Sequence, residues 1–289
     1  MGQGDIVGLD LVHRWQQLVR VAGPGMRKAG VLPERGWREE FGDERLEELL
    51  AYGRRQTARM AREIESYTGS SLAGRRVLDY GCGIGRTALA MAGSCEYVYG
   101  LDIVESALRK ADQMAREMRV ENVQWLDASR LGELAGRYDA VVSYWVFQHI
   151  PTREGERILA ALLDGLAPGG VGAIHFAVRP PEALAGLRAT VARVTGGPRL
   201  KMRAAIQYAY LLMNSYSLNR LGAVLSDAGV SSFEVQWWHA RAPGVSTGNR
   251  YPSATLVFRK DERAASASAS SEARPRERAA GERRSAPAG

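Results

Sequence analysis

Between residues 77 and 177, short apolar runs of strand length alternate with stretches whose apolar residues recur at three-four spacing. Strands are expected at 77–80, 97–101, 123–126, 138–143 and 171–177, and helices at 87–92, 105–118 and 155–166. When each strand reaches the next through a helix, neighbouring strands lie parallel and helices cover both faces. The connections are only a few residues long, as such units require. The alternation therefore predicts an α/β, doubly wound and largely parallel sheet.

The flanks have a different rhythm. Leu46, Leu49, Leu50, Met60 and Ile64 fall near helical spacing, which predicts a helix over 43–67 with Asp43 as its N-cap. An earlier helix is expected over 9–21, stopping before Gly23-Pro24-Gly25. Residues 1–70 thus read as an N-terminal helical cap. After the fifth strand, residues 179–217 read as a helical insertion, with helices at 182–195 and 203–214 parted by Gly196-Gly197-Pro198. A helix at 218–228 and strands at 233–239 and 254–259 follow, and these two strands can pair as a hairpin at a sheet edge. From Asp261 to Gly289 there is no large hydrophobe. Such a stretch cannot offset its ordering entropy, so residues 261–289 are expected to be a disordered tail.

Composition removes several classes. The net charge is +7, but only Lys28, Lys110, Lys201 and Lys260 are lysine among 39 basic residues. No dense basic run carries interleaved aromatics, so nucleic acid is not an expected partner. Two cysteines exclude a disulfide-stapled scaffold and a multi-cysteine zinc ribbon. Cys82 and Cys95 share no ligand-like spacing with a histidine, and no metal is expected. No apolar run approaches the ~18 residues of a membrane span. The first twenty residues lack a basic region followed by an apolar stretch, so the expected compartment is the cytoplasm.

The most informative segment is Val77-Leu78-Asp79-Tyr80-Gly81-Cys82-Gly83-Ile84-Gly85-Arg86-Thr87. A strand runs into a glycine-rich turn that opens a helix. Glycines let backbone approach a ligand where a side chain would clash, and the helix start offers free N–H groups. The spacing is GxGxG, which differs from the dinucleotide fingerprint. Asp102 ends the second expected strand, 17 residues beyond Gly85. An acid there accepts from both ribose hydroxyls, a feature that fits either NAD or S-adenosylmethionine. Cys82, inside the loop, reads as a small buried filler.

These residues resemble a family. VLDYGCGIGRT is similar to motif I of the class I S-adenosylmethionine-dependent methyltransferases, and Asp79 matches the acid that precedes their glycine loop. GLDI at 100–103, Asp127-Ala128, YDAVVSYWVFQHIP at 138–151, LAPGGVGAIHF at 166–176 and SYSLNRLGAVLSDAGV at 215–230 resemble their later motifs in order. The resemblance spans about residues 74–260, without a specific match in the insertion. It implies a Rossmann-like, seven-stranded, mostly parallel sheet with an antiparallel last strand, forming a methyltransferase domain over 71–260. It implies S-adenosylmethionine as cofactor. Gly81, Gly83 and Gly85 would pack under the methionyl part, and Asp79 would hold its amino group, directly or through water. Asp102 would take the ribose, Ile103 would flank the adenine, and Asp127 and the Ala128 N–H would meet the adenine edge. Ser143 and Tyr144 would end the fourth strand beside the methionyl end.

Methyl transfer from a sulfonium needs an aligned nucleophile and exclusion of water. A base is needed only where the nucleophile must shed a proton early. His149, just after the fourth strand, is the candidate base. His175 reads as a core residue, and His13 and His239 are weaker candidates. Tyr208, Tyr210, Met213 and Tyr216 could line a substrate pocket, with Trp37 and Phe41 closing it from the other side. The expected acceptor is an O, N or C nucleophile of a small molecule, such as a specialised metabolite. RNA or protein methylation, and a non-catalytic S-adenosylmethionine-binding module, are the alternatives, with a dehydrogenase more distant. Oligomeric state is not legible.

Overall fold

The computed structural model describes residues 37–178, 214–238 and 253–262, except for the side chains of residues 37–46 and Trp238. The expected helices at 9–21 and 182–195, and all but the last residue of that at 203–214, lie outside these residues. So do His13, Tyr208, Tyr210, Met213, His239 and nearly all of the expected tail.

The elements run α1 (Trp37–Thr68), β1 (Arg76–Tyr80), α2 (Arg86–Ala92), β2 (Tyr97–Asp102), α3 (Glu105–Met118), β3 (Val123–Asp127), a 3-10 turn (Ala128–Leu134) and β4 (Tyr138–Ser143). A second 3-10 turn (Phe147–His149) leads to α4 (Thr152–Gly165), β5 (Leu166–Ala177), α5 (Leu218–Asp227), β6 (Phe233–Trp238) and β7 (Ser253–Arg259). The seven strands form one sheet in the order β3-β2-β1-β4-β5-β7-β6. β1 to β5 pair in parallel, while β7 is antiparallel to both β5 and β6. The α/β, doubly wound, mostly parallel sheet with an antiparallel last strand is thus present. The β6–β7 pair is antiparallel as expected, with β7 inside and β6 at the edge.

Side-chain alternation along the strands builds two cores. Leu78, Val141, Ile174 and Phe258 face α4 and α5, packing with Leu159, Leu162, Leu163, Leu221 and Leu225. Val77, Val98, Ala140, Val142 and Val257 face the other way, packing with Met60 and Ile64 of α1 and Ala88 and Met91 of α2. Helix α1 therefore belongs to the sheet's own core. The strands are buried on both faces, which explains their near-continuous apolar reading. Each fully buried leucine of α4 contributes about 1.5–3 kcal/mol by leaving water. Helix α3 buries Ala107, Ala111, Met114 and Ala115, one face at i, i+4, i+7 and i+8. It stops where Arg119 turns left-handed at φ 57° and its N–H folds back on Ala115 O. At the end of α4, the Lys260 ammonium donates to Leu163 O at 2.6 Å and Leu166 O at 2.9 Å. Leu163 O also accepts from the Leu166 N–H, so the ammonium adds a second donor at this helix terminus.

Three local expectations need correction. Helix α1 begins at Trp37, so Asp43 lies inside it and is not its cap. β5 begins at Leu166, because Tyr138 pairs with Leu166 across a register shift and draws Pro168-Gly169-Gly170 into the strand. The expected tail starts with ordered residues, since the Asp261 N–H donates to Gly229 O at 2.8 Å.

Candidate active site

Strand order reverses between β1 and β4, since β2 and β3 extend to one side of β1 while β4 and β5 extend to the other. Open α/β sheets hold ligands at the carboxyl ends of the strands at such a point. β1 delivers Asp79 and the glycine loop there, β2 delivers Asp102, β3 delivers Asp127, and β4 delivers Ser143 and Tyr144. Asp102 and Asp127 are register partners, so the two acids end adjacent strands side by side. At about 4.8 Å per strand, the edge from β4 to β3 spans about 14 Å.

The three loop glycines all have positive φ: 75° at Gly81, 55° at Gly83 and 81° at Gly85. Their surroundings differ. A Cβ on Gly81 would collide with the Val146 side chain, and one on Gly85 would lie 2.6 Å from the ring of Trp125. A Cβ on Gly83 would meet nothing within 4 Å. Gly81 and Gly85 therefore let protein pack on protein, and Gly83 is the loop glycine whose Cα faces open space. Asp102 braces this loop: its Oδ2 accepts from the Gly83 N–H at 2.8 Å and its Oδ1 from the Val104 N–H at 2.9 Å.

Asp79 is 2% exposed, and its Oδ2 has no hydrogen-bond partner. Burial, and then the charge of Asp102, push its carboxyl up to about 7, against the pull of Arg86. The carboxyl also accepts from the Ala88 backbone N–H, and its unpartnered buried Oδ2 fits a cationic ligand group. Asp127 is exposed, and its Oδ1 accepts from the Ser129 N–H at 2.9 Å and from the Ser129 hydroxyl at 2.6 Å. Ile103 is half-buried beside Asp102, and Ala128 is buried at the start of the 3-10 turn. Ser143 is fully buried, and its hydroxyl donates to Tyr80 O at 2.8 Å. Its side chain thus ties β4 to β1 beneath the crevice.

His149 ends the turn that follows β4 and is exposed, while surrounding protein pushes its imidazole down to about 4. Its Nε2 lies 3.3 Å from the Gln148 amide nitrogen, within hydrogen-bond distance. His175 is buried in β5 among rings, 4.7 Å from Trp145 and 5.2 Å from Tyr144 by centroids. Tyr216, expected to line a pocket, is fully buried. Its hydroxyl donates to Phe147 O at 3.0 Å and Ile150 O at 2.9 Å, clamping the turn that carries His149. The side chains of Trp37 and Phe41 are among those not described. Among the described residues, no group of three or more His, Cys, Asp or Glu is placed to hold a metal ion.

Sequence reasoning left two neighbours without a role. Trp125 packs against Gly85 and Gly100 from beneath the loop. Arg86, the first residue of α2, lies over the ring of Tyr52 at 5.5 Å from its centroid. The signal for Arg86 was its position: a cation at a helix N-terminus opposes the macrodipole.

Residues 77–170 match a family described as a methyltransferase domain. Among curated proteins, the chain is 31% identical over 135 residues to a magnesium-protoporphyrin O-methyltransferase of Synechocystis, covering 44% of this chain and 56% of that protein. It is 34% identical over 110 residues to a ubiquinone biosynthesis O-methyltransferase of Acinetobacter baylyi, covering 37% and 45%. The chain thus spans about half the length of these curated relatives. Among solved structures, it resembles the Synechocystis magnesium protoporphyrin IX methyltransferase with bound S-adenosylhomocysteine, with a TM-score of 0.53 at 22% identity over 75% of this chain and 87% of that one. A Haemonchus contortus phosphoethanolamine N-methyltransferase gives a TM-score of 0.51 at 15% identity, covering 72% and 52%. Residues 77–170 thus match the methyltransferase-domain family model, and the sheet shares the fold of these methyltransferase structures.

Proposed function

We propose that this protein binds S-adenosylmethionine along the carboxyl edge from β4 to β3 and methylates a small molecule. The observation that carries this reading is the buried Asp79 carboxyl, whose Oδ2 has no partner, beside the open face of Gly83 and in line with Asp102 and Asp127. That row fits a nucleoside with a cationic tail: the tail at Asp79, the ribose at Asp102, and the adenine beside Ile103, Asp127 and Ala128. When bound, the cofactor's sulfonium supplies an electrophilic methyl group. The chain's own task is to position the acceptor and exclude water, which can supply much of the barrier reduction.

His149 is the proposed proton acceptor. With its pKa near 4, it is neutral at pH 7 and a weak base, and its Nε2 lies 3.3 Å from the Gln148 amide nitrogen. It therefore suits an acceptor whose proton is already acidic. An oxygen nucleophile is the first to try, because the curated relatives are named O-methyltransferases. Among the described residues no helix is long and apolar enough to cross a membrane. A cytoplasmic location is part of this proposal.

The test is thermal stability of the purified protein with S-adenosylmethionine, S-adenosylhomocysteine or NAD. A ligand at ~100 times its dissociation constant stabilises by roughly 2.7 kcal/mol, a shift of about several degrees at this size. A shift with the first two, followed by S-adenosylhomocysteine release on adding acceptors, supports the proposal. A shift with NAD alone overturns it. Cofactor binding without turnover on any small molecule favours a non-catalytic binding module.

A further inference from the structure

We infer that Asn214 and Tyr216 are positioning residues of the proposed transfer site, which fix the turn that presents His149. This rests on the reading of His149 above and adds the residues that hold it in place.

The turn Phe147–His149 has few bonds of its own. The His149 N–H donates to Val146 O at 2.9 Å and the Ile150 N–H to Phe147 O at 3.0 Å. A 3-10 turn this short does not support itself. Further bonds come from a segment 66 to 69 residues later. The Asn214 N–H donates to Gln148 O at 2.8 Å, and the Asn214 side-chain amide donates to the same oxygen at 3.3 Å. The Tyr216 hydroxyl lies between Phe147 O and Ile150 O, at 3.0 and 2.9 Å, and shares its proton with both. Phe147, Gln148 and Ile150 thus all accept from this one segment.

The segment is itself anchored. The Tyr216 N–H donates to Ala177 O at 2.8 Å, and Tyr216 bridges Val178 in parallel, so it lies along the end of β5. Its ring packs on Phe147 and Phe176. A Cβ on Gly155 of α4 would collide with the Tyr216 hydroxyl, so the start of α4 leaves it room. Burial, and then Glu156, Tyr80 and Glu154, push the phenol up, so the hydroxyl keeps its proton and remains a donor.

The Tyr216 ring alone would serve the core. The hydroxyl and the Asn214 amide add directional bonds, which contribute modestly to net stability but fix where their acceptors lie. What they fix adjoins a strained piece of chain. Trp145, two residues before the turn, is left-handed at φ 60°, which is rare for a bulky side chain. Such strain persists only where the surroundings over-determine it, and it gathers at functional sites. His149 is the side chain that this arrangement delivers beside the carboxyl end of β4. Gln148 links the two: its carbonyl is held by Asn214, and its amide nitrogen lies 3.3 Å from His149 Nε2.

The test is an NMR titration of the histidine side chains in wild type, Tyr216→Phe, Asn214→Ala and Ile64→Val, with His149→Gln identifying the signal. Ile64 lies in the core on the opposite face of the sheet, so its variant controls for lost stability alone. Burial holds the wild-type imidazole at about 4, against an ordinary 6.5. Loosening the clamp lets water reach the ring. Tyr216→Phe and Asn214→Ala should each raise the pKa of His149 by about one pH unit, a tenfold change in its protonation equilibrium. Ile64→Val should leave it in place. An unmoved His149 in both clamp variants, or an equal rise in Ile64→Val, overturns the assignment. Asn214→Ala decides the matter if Tyr216→Phe fails to fold. Turnover at the wild-type rate in His149→Gln would instead overturn the base reading on which this rests, whatever the titration shows.

Discussion

Ligand binding at Asp79 should depend steeply on pH, in a direction its surroundings set. The carboxyl stands at about 7 because burial and Asp102 disfavour its charge, while Arg86 favours it. To hold an ammonium it must be ionised. With a pKa of 7, about 3% is ionised at pH 5.5 and about 76% at pH 7.5. Affinity for S-adenosylhomocysteine should therefore rise about 25-fold over that range, or about 1.9 kcal/mol. At pH 6.5, binding should release about 0.8 proton, read from calorimetry in buffers of different ionisation enthalpy. Asp102, also raised chiefly by burial, could add to the slope, and Asp79→Asn isolates the contribution of Asp79. That variant should bind more weakly at pH 7.5, with a nearly flat profile. A flat wild-type profile, or an unchanged slope in Asp79→Asn, would refute the reasoning. The same shift has a stability sign. A raised carboxyl opposes folding once ionised, so its contribution is full below about pH 4 and is lost as pH rises to about 7. Asp79→Asn should therefore melt higher than wild type at pH 8, without ligand, and no higher at pH 4.

The glycine loop predicts a separation of fold from binding. Gly83→Ala should cost only about 1–2 kcal/mol of stability, from its left-handed backbone, yet abolish detectable cofactor binding because its Cβ enters the open face. Gly85→Ala carries the same strain plus overlap with Trp125, about 2–5 kcal/mol together, and should show its main effect in melting temperature. Tyr216→Phe removes the donor to two buried carbonyls and should cost about 1–2 kcal/mol in denaturant unfolding. His149→Gln should lower turnover at least tenfold with cofactor affinity unchanged, and turnover near wild type would remove its base role.

Much of this site was legible because its residues obey local rules. A strand, a glycine turn and a helix announce VLDYGCGIGRT without reference to anything distant, and Asp102 follows from the end of the next apolar run. The start of α1 was hidden because Gly42 and Asp43 look like a boundary. A glycine within a helix costs only ~1 kcal/mol, which the remaining packing of α1 outweighs. The start of β5 was hidden because Pro168-Gly169-Gly170 reads as a turn, while pairing of Leu166 with Tyr138 is a nonlocal fact. Tyr216 sits in a sequence stretch that gives no sign of its burial, which comes from contact with a turn some 70 residues earlier. The different duties of Gly81, Gly83 and Gly85 depend on Val146 and Trp125, partners that motif spacing does not reveal.

The most direct measurement is a crystal structure of the protein with S-adenosylhomocysteine. The account predicts the ribose hydroxyls on Asp102, the adenine beside Asp127 and Ala128, and the amino group at Asp79. A ligand bound elsewhere, or a tail directed away from Asp79 and Gly83, would contradict it.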